Sequence, residues 1–114
     1  MTLPLYLRIA KAVAQREKND LRAHAVGAVA VRADGVLVHA KNGTAPKKMP
    51  SAHAESRLMR KSGPNAVVYV ARVRRDGNAA LSRPCPTCES LMRKRHVETV
   101  YYTISETEWG VIQL

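Results

Sequence analysis

His53 and Glu55 stand two apart in His53-Ala54-Glu55. Thirty-two residues after His53 comes Cys85, in the run Pro84-Cys85-Pro86-Thr87-Cys88, which holds the only two cysteines of the chain. One imidazole and two thiolates are ligand types that zinc takes. Three protein ligands leave the fourth tetrahedral position open, which is the pattern of a catalytic zinc site rather than a closed structural one. Zinc lowers the pKa of bound water toward about 7, and Glu55 is near enough to a ligand to take that proton. Neither element suffices alone: Cys85 and Cys88 by themselves fit a redox pair or half of a structural site, and a His-x-Glu triplet occurs by chance. Together, each opening a predicted helix after a loop, they specify a metal centre with a carboxylate beside it. With three ligand positions filled, His24, His39 and His96 read as strand or surface histidines.

The elements that must position these residues can be read from periodicity. Residues 4 to 19 predict a helix, with Pro4 suited to its first turn and Leu5, Ile9, Ala12 and Val13 forming an apolar stripe. Ala25 to Arg32 and Val36 to Ala40 flank Ala33-Asp34-Gly35, a hairpin signal that pairs them antiparallel. Asn42 to Pro50 reads as a loop. Ser51 is the expected N-cap of a helix running to about Lys61, stopped by Gly63-Pro64. Ala66 to Arg74 reads as a strand covered on both faces, Arg75 to Arg83 as a polar loop, and Pro84 to Lys94 as the second motif-bearing helix. Val97 to Ile104 and Glu108 to Leu114 complete the set, separated by Ser105-Glu106-Thr107. The order is α-β-β-α-β-α-β-β. Strand-helix-strand-helix-strand from 36 to 104 implies parallel pairing with right-handed crossovers. The last connection is too short for a crossover, so the final strand must run antiparallel to the one before it. Both motif helices can then aim their N-termini, which lower a nearby thiol's pKa, at one spot.

At 114 residues the chain is one domain, with 1–20 as its N-terminal helix and 25–114 as its catalytic core. Aromatics are scarce, four Tyr, Trp109 and no Phe, so the core must be built from Val, Leu, Ile, Ala and Met. No apolar run approaches a membrane span, and Met1 to Ala14 lacks the h-region of a secretory signal. The expectation is a cytoplasmic protein without a membrane partner, its Cys-x-x-Cys serving metal or redox chemistry. The net charge of +10 points to anionic partners such as nucleotides or nucleic acid, although basic residues also simply solubilise small domains.

The His-x-Glu and Pro-Cys-x-x-Cys elements are the signature of zinc-dependent nucleobase deaminases. Through Ser51-Ala52-His53-Ala54-Glu55 and Pro84-Cys85-Pro86-Thr87-Cys88, residues 25 to 114 resemble the cytidine and deoxycytidylate deaminase superfamily. The resemblance implies a three-layer α/β fold, a mixed five-stranded sheet flanked by helices. It implies Zn2+ held by His53, Cys85 and Cys88, and Glu55 as the proton shuttle between water, the ring nitrogen and leaving ammonia. It also implies that the backbone amides of Ala54 and Cys85 hold the attacking oxygen and the substrate. Asn42-Gly43 is similar to the pair in deoxycytidylate deaminases whose Asn binds the sugar; the lesser alternative, read locally, is a turn pair alone. Thr44 stands where nucleoside-level cytidine deaminases carry Glu. The chain has no insertion for a regulatory nucleotide, and its antiparallel C-terminal hairpin is the cytidine-deaminase arrangement. Small members of the superfamily self-associate, so a homo-oligomer is implied.

Lys47 and Lys48, on the loop bordering the expected pocket, are candidates for a substrate phosphate, or else a solvated loop. Tyr101 or Tyr102 could line the base pocket, and strand alternation lets only one do so; Tyr102 is the candidate carried forward. The leading expectation is hydrolysis of cytosine to uracil in a small-molecule nucleotide or nucleoside. The competing one is deamination of cytosine or adenine in single-stranded DNA or RNA, favoured by charge but opposed by the shortage of aromatics for base stacking. A non-catalytic, zinc-stabilised binding module ranks last, because it leaves Glu55 incidental.

Overall fold

The computed structural model describes residues 2–43 and 53–114. Helix α1 (Leu5–Ala14) precedes strands β1 (Ala25–Val31) and β2 (Leu37–Lys41). Then come α2 (Ala54–Ser62), β3 (Val67–Val73), a two-residue β4 (Ala79–Ala80), α3 (Pro86–Lys94), β5 (Thr99–Thr103) and β6 (Trp109–Gln113). The sheet runs β2-β1-β3-β5-β6, with β4 pairing beside β3. β3 and β5 are parallel, and the β1–β2, β1–β3, β3–β4 and β5–β6 pairs are antiparallel.

Strand alternation builds three layers. Ala28 and Ala30 of β1, Val68 and Val70 of β3, and Val100 and Tyr102 of β5 face one side and pack on Ala54, Leu58, Met59 and Met92 of α2 and α3. Val29, Ala71 and Val73 face the other side and pack with α1, through Ala10 and Ala14. Gly27 brings α1 down onto the sheet, since a Cβ there would collide with the Ala10 carbonyl and the Ala14 amide. The expected core of Val, Leu, Ile, Ala and Met is the one found, joined by Tyr102. Among the described residues, no helix is long and apolar enough to cross a membrane.

Three differences from the sequence reading have physical causes. First, β2 and β3 run in the same direction but are not neighbours, because β1 lies between them. Every side chain of β1 is apolar and five of its seven residues are buried, whereas β2, with His39 and Lys41, is mostly exposed. Burial on both faces therefore puts β1 inside and leaves β2 at the edge. Second, the loop at 75–83 contains β4. Its turn repeats the one joining β1 to β2. In each, an Asp side chain accepts the amide two residues on, Val36 from Asp34 and Asn78 from Asp76, and Gly35 or Gly77 supplies a positive φ. The second Asp-Gly carried the same hairpin signal as the first.

Third, α1 ends at Ala14 rather than at 19, because Gln15 already has an extended ψ of 132°. The segment that follows is held by a buried ion pair. Arg22 donates from Nε to both carboxylate oxygens of Asp20 at 3.0 and 2.9 Å, and from Nη2 to the Ala14 carbonyl at 3.1 Å. The side chains are only 5% and 8% exposed. The hydrogen bonds from Arg22 hold the Asp20 carboxyl well below the usual carboxylate range. A depressed folded pKa stabilises fully above the unfolded value of about 3.9, and that contribution is lost as the pH falls below it. Asp20→Asn is expected to cost about 3 kcal/mol at neutral pH, because it strands the Arg22 charge, and to flatten the acid limb of stability. Urea unfolding of both proteins at pH 7 and pH 3 checks this; equal stabilities at pH 7 would refute it.

Candidate active site

Sequence places the two motif helices so that their first residues hold the chemistry. Cys85 precedes Pro86, which drives it to extended backbone. It adopts φ −68° and ψ 162° as the N-cap of α3, with Pro86 at the first helical position. Its carbonyl accepts the Glu89 amide at 2.9 Å, and Cys88, three residues on, lies over the same turn. His53 is likewise the extended N-cap of α2, its carbonyl accepting the Arg57 amide at 3.1 Å. Ser51, expected to cap this helix, lies outside the described residues.

Each candidate ligand thus sits at or just inside a helix N-terminus, and the two termini meet. His53 Nδ1 is 3.3 Å from Cys88 Sγ and 3.8 Å from Cys85 Sγ, and the three donor atoms lie within 4.8 Å of one another. Tetrahedral zinc, with Zn–S of about 2.3 Å and Zn–N of about 2.0 Å, puts nitrogen and sulfur donors roughly 3.5 Å apart. The donor types, their spacing and the two reduced thiols therefore fit Zn2+. Burial pushes the Cys88 thiol above its ordinary range, and the charges of Glu55 and Cys85 push it the same way. A bound cation would reverse that balance, because coordination deprotonates a thiol outright. Ser56 Oγ, 3.8 Å from Cys88 Sγ, is placed to donate to the thiolate.

Glu55 is 6% exposed, and burial raises its carboxyl above the ordinary range. It lines a cavity of about 230 Å3 together with His53, Ala54 and Cys85. The cavity opens where β2 and β3 end and α2 begins, the carboxyl-end position at which α/β sheets bind ligands. A buried hydroxyl pair pins its floor. Ser82 Oγ donates to the Val70 carbonyl at 2.8 Å and lies 2.9 Å from Thr103 Oγ1, so the segment leading into Cys85 is tied to β3 and β5.

Asn42 lines the cavity, but much of its side chain is committed. Oδ1 accepts from the Val26 amide at 2.9 Å and from Arg22 Nη1 at 3.1 Å, and Nδ2 donates to the His24 carbonyl. One amide hydrogen is left for a ligand. Lys47 and Lys48 lie outside the described residues. Tyr102 is not among the cavity-lining residues. It stands behind one that is, accepting a hydrogen bond from Arg83 Nη1 at 3.0 Å, with the guanidinium 5.5 Å from its ring centroid. Tyr101 points to the opposite face of the sheet and stacks on Tyr69.

The cavity wall also holds residues that the sequence reading missed: His24, Arg72, Leu81, Ser82 and Arg83. Two signals could have found some of them. Arg83 immediately precedes the Pro-Cys motif, and Arg72 stands near the carboxyl end of a predicted central strand. Arg57 adds to this wall from behind; a Cβ on Gly43 would fall 2.6 Å from its Nη2.

A family model described as the cytidine and deoxycytidylate deaminase zinc-binding region matches residues 2–104. The fold is similar to solved structures of three bacterial cytidine deaminases. That of Burkholderia pseudomallei has a TM-score of 0.64 at 21% identity, covering 99% of this chain and 93% of that one. That of Mycobacterium leprae has 0.59 at 19%, covering 93% and 89%. That of Mycobacterium tuberculosis has 0.56 at 19%, covering 90% and 86%. No curated protein matches the chain.

Proposed function

The chain belongs to the cytidine and deoxycytidylate deaminase family and is a zinc-dependent hydrolytic deaminase, and on that premise we propose that it converts cytosine to uracil in a small-molecule nucleoside or nucleotide. The observation that carries this reading is the meeting of His53, Cys85 and Cys88 at the two helix N-termini, with buried Glu55 on the wall of the same cavity.

Zinc, when bound, makes water nucleophilic at neutral pH. His53, Cys85 and Cys88 would hold it. Glu55 takes a proton from the attacking water, gives it to the ring nitrogen beside the amine-bearing carbon, and then carries a proton to the leaving amine. The carbon–nitrogen bond breaks, and cytosine plus water becomes uracil plus ammonia. A carboxylate held above its ordinary pKa by burial is suited to this exchange, because it accepts a proton and gives it back. The amides of Ala54 and Cys85, at the helix N-termini, are orphan donors by position and orient the ring and the attacking oxygen. Asn42 offers its remaining amide hydrogen to the sugar.

Deamination of single-stranded nucleic acid is the second reading, favoured by the +10 charge. Against it, all five aromatic side chains are described and none lines the cavity, so no stacking platform stands at the site. The test is ammonia release from zinc-loaded protein given deoxycytidine, cytidine, dCMP, dCTP or a cytosine-containing oligonucleotide, with Glu55→Ala as the blank. Turnover of a mononucleotide or nucleoside is expected. Turnover of the oligonucleotide alone, weakening steeply with salt, would replace the first reading with the second.

A further inference from the structure

One buried arginine stands behind the cavity wall without lining it. Arg22 is 5% exposed and is not among the cavity-lining residues, yet Ala23, His24, Val26 and Asn42 around it all are. Its guanidinium reaches in three directions at once. Nε and Nη2 take the Asp20 carboxylate, and Nη2 also takes the Ala14 carbonyl at the end of α1. Nη1 donates to Asn42 Oδ1 at 3.1 Å. Asp20 is held in turn by the Arg22 backbone amide, which donates to its Oδ1 at 2.9 Å.

The bond to Asn42 settles which way its amide faces. Oδ1 accepts from two donors, Arg22 Nη1 and the Val26 amide, while Nδ2 donates to the His24 carbonyl. A flipped amide would set its NH2 against two donors and its oxygen against another oxygen, so the network admits one orientation. In that orientation the unspent hydrogen is on Nδ2, in a side chain that lines the cavity.

Stability alone does not call for this arrangement. Two charges taken out of water are often no better than well-packed apolar side chains of the same volume. Nor would lysine replace the arginine. A lysine neutralises Asp20 as a point charge, whereas a planar fork binds a carboxylate, a helix-end carbonyl and an amide oxygen together.

We propose that Arg22, fixed by Asp20, is a positioning residue that locks the Asn42 amide and so presents its free hydrogen to the sugar of the substrate. The proposal rests on the reading that Asn42 meets the sugar of a cytosine nucleoside or nucleotide in this cavity. It adds that sugar recognition is set from the end of α1, through a residue that touches no substrate.

The test is steady-state deamination of deoxycytidine, or of dCMP where that is the better substrate, by the zinc-loaded protein. Inhibition by 1-methylcytosine, which carries the ring without the sugar, is measured alongside. The variants are Arg22→Lys, Asn42→Ala, and the double variant Asp20→Asn/Arg22→Leu, which removes both buried charges so that neither is stranded. Arg93→Gln, an exposed residue paired with Glu89, is the control, and thermal melts verify folding. The double variant is expected to raise KM about three- to tenfold, the worth of one neutral hydrogen bond, with kcat and the inhibition constant of 1-methylcytosine within about twofold of wild type. Arg22→Lys should fall between, and Arg93→Gln should match the wild type. Combined with Asn42→Ala, the double variant should raise KM no further, because the group it positions is gone. A residue that only staples the fold would lower kcat and weaken both ligands together, and that result overturns the proposal. So does an unchanged KM in the double variant where Asn42→Ala raises it; the sugar contact then stands and the role of Arg22 falls. If Asn42→Ala leaves KM unchanged, the sugar contact itself falls and the proposal with it. Turnover of neither substrate by the wild type removes the cytosine reading and this proposal together.

Discussion

Glu55→Gln is expected to keep its zinc and to lose about 10²- to 10⁴-fold in kcat, the range that general acid–base catalysis contributes. Glutamine has the shape of glutamate but can neither accept a proton from water nor return one. Glu55 is not one of the three converging donors, so its replacement removes no ligand. The buried carboxylate is costly to hold, as its raised pKa records, and its charge pushes up the Cys88 thiol. Neutralising it should therefore leave the melting temperature of the zinc-free protein unchanged or higher. Ammonia-coupled turnover and atomic absorption on the same sample check both halves. Wild-type turnover with zinc bound would remove Glu55 from the reaction. Loss of zinc along with turnover would instead make it a ligand.

The second large effect concerns the metal. Cys88 is fully buried at the start of α3 and sits within 4 Å of His53 Nδ1 and Ser56 Oγ. Cys88→Ser is expected to abolish tight zinc binding and turnover together. Stripping zinc from the wild type with a chelator should lower its melting temperature by about 10 °C or more. A ligand a thousandfold above its Kd is worth about 4 kcal/mol, and each kcal/mol moves a domain of this size by several degrees. The physical source is the meeting of two thiols, an imidazole and a carboxylate in a space that a cation would neutralise. Thermal melts with and without chelator, and with zinc restored, read this. The chelator arm on the wild type guards against a serine variant that fails for packing reasons alone. A wild-type melt indifferent to chelator would sink the zinc site as a structural element.

Much of the architecture was legible before any coordinates. The Asp34-Gly35 hairpin, the Gly63 helix stop and the antiparallel last strand all stand, because each depends on a few neighbouring residues; the expected α1 stripe does not, since Leu7, Ala10 and Ala14 form the buried face while Leu5 is 55% exposed and Ala12 is exposed. What was misjudged depends on what the chain packs against. α1 stops early where Arg16 and Arg22 reach for backbone carbonyls and Asp20. β1 slips between β2 and β3 because it is the more thoroughly apolar strand. The short β4 was missed although Asp76-Gly77 repeats the turn signal at Asp34-Gly35.

The site divides the same way. By itself the sequence determined the metal chemistry, because an N-cap cysteine held extended by Pro86 and a second cysteine three residues on share one helical turn, and a His-x-Glu triplet does the same for α2. Those relations are covalent and local, so they survive any arrangement of the rest. Only the tertiary structure decided which side chains wall the cavity. Tyr102 turns inward to brace Arg83, Asn42 is largely spent on Val26 and the His24 carbonyl, and Arg72 and Arg83 arrive at the cavity from separate elements. Strand order, register and the path of a loop set those meetings, and these are fixed by burial summed over the whole sheet rather than by any residue's near neighbours.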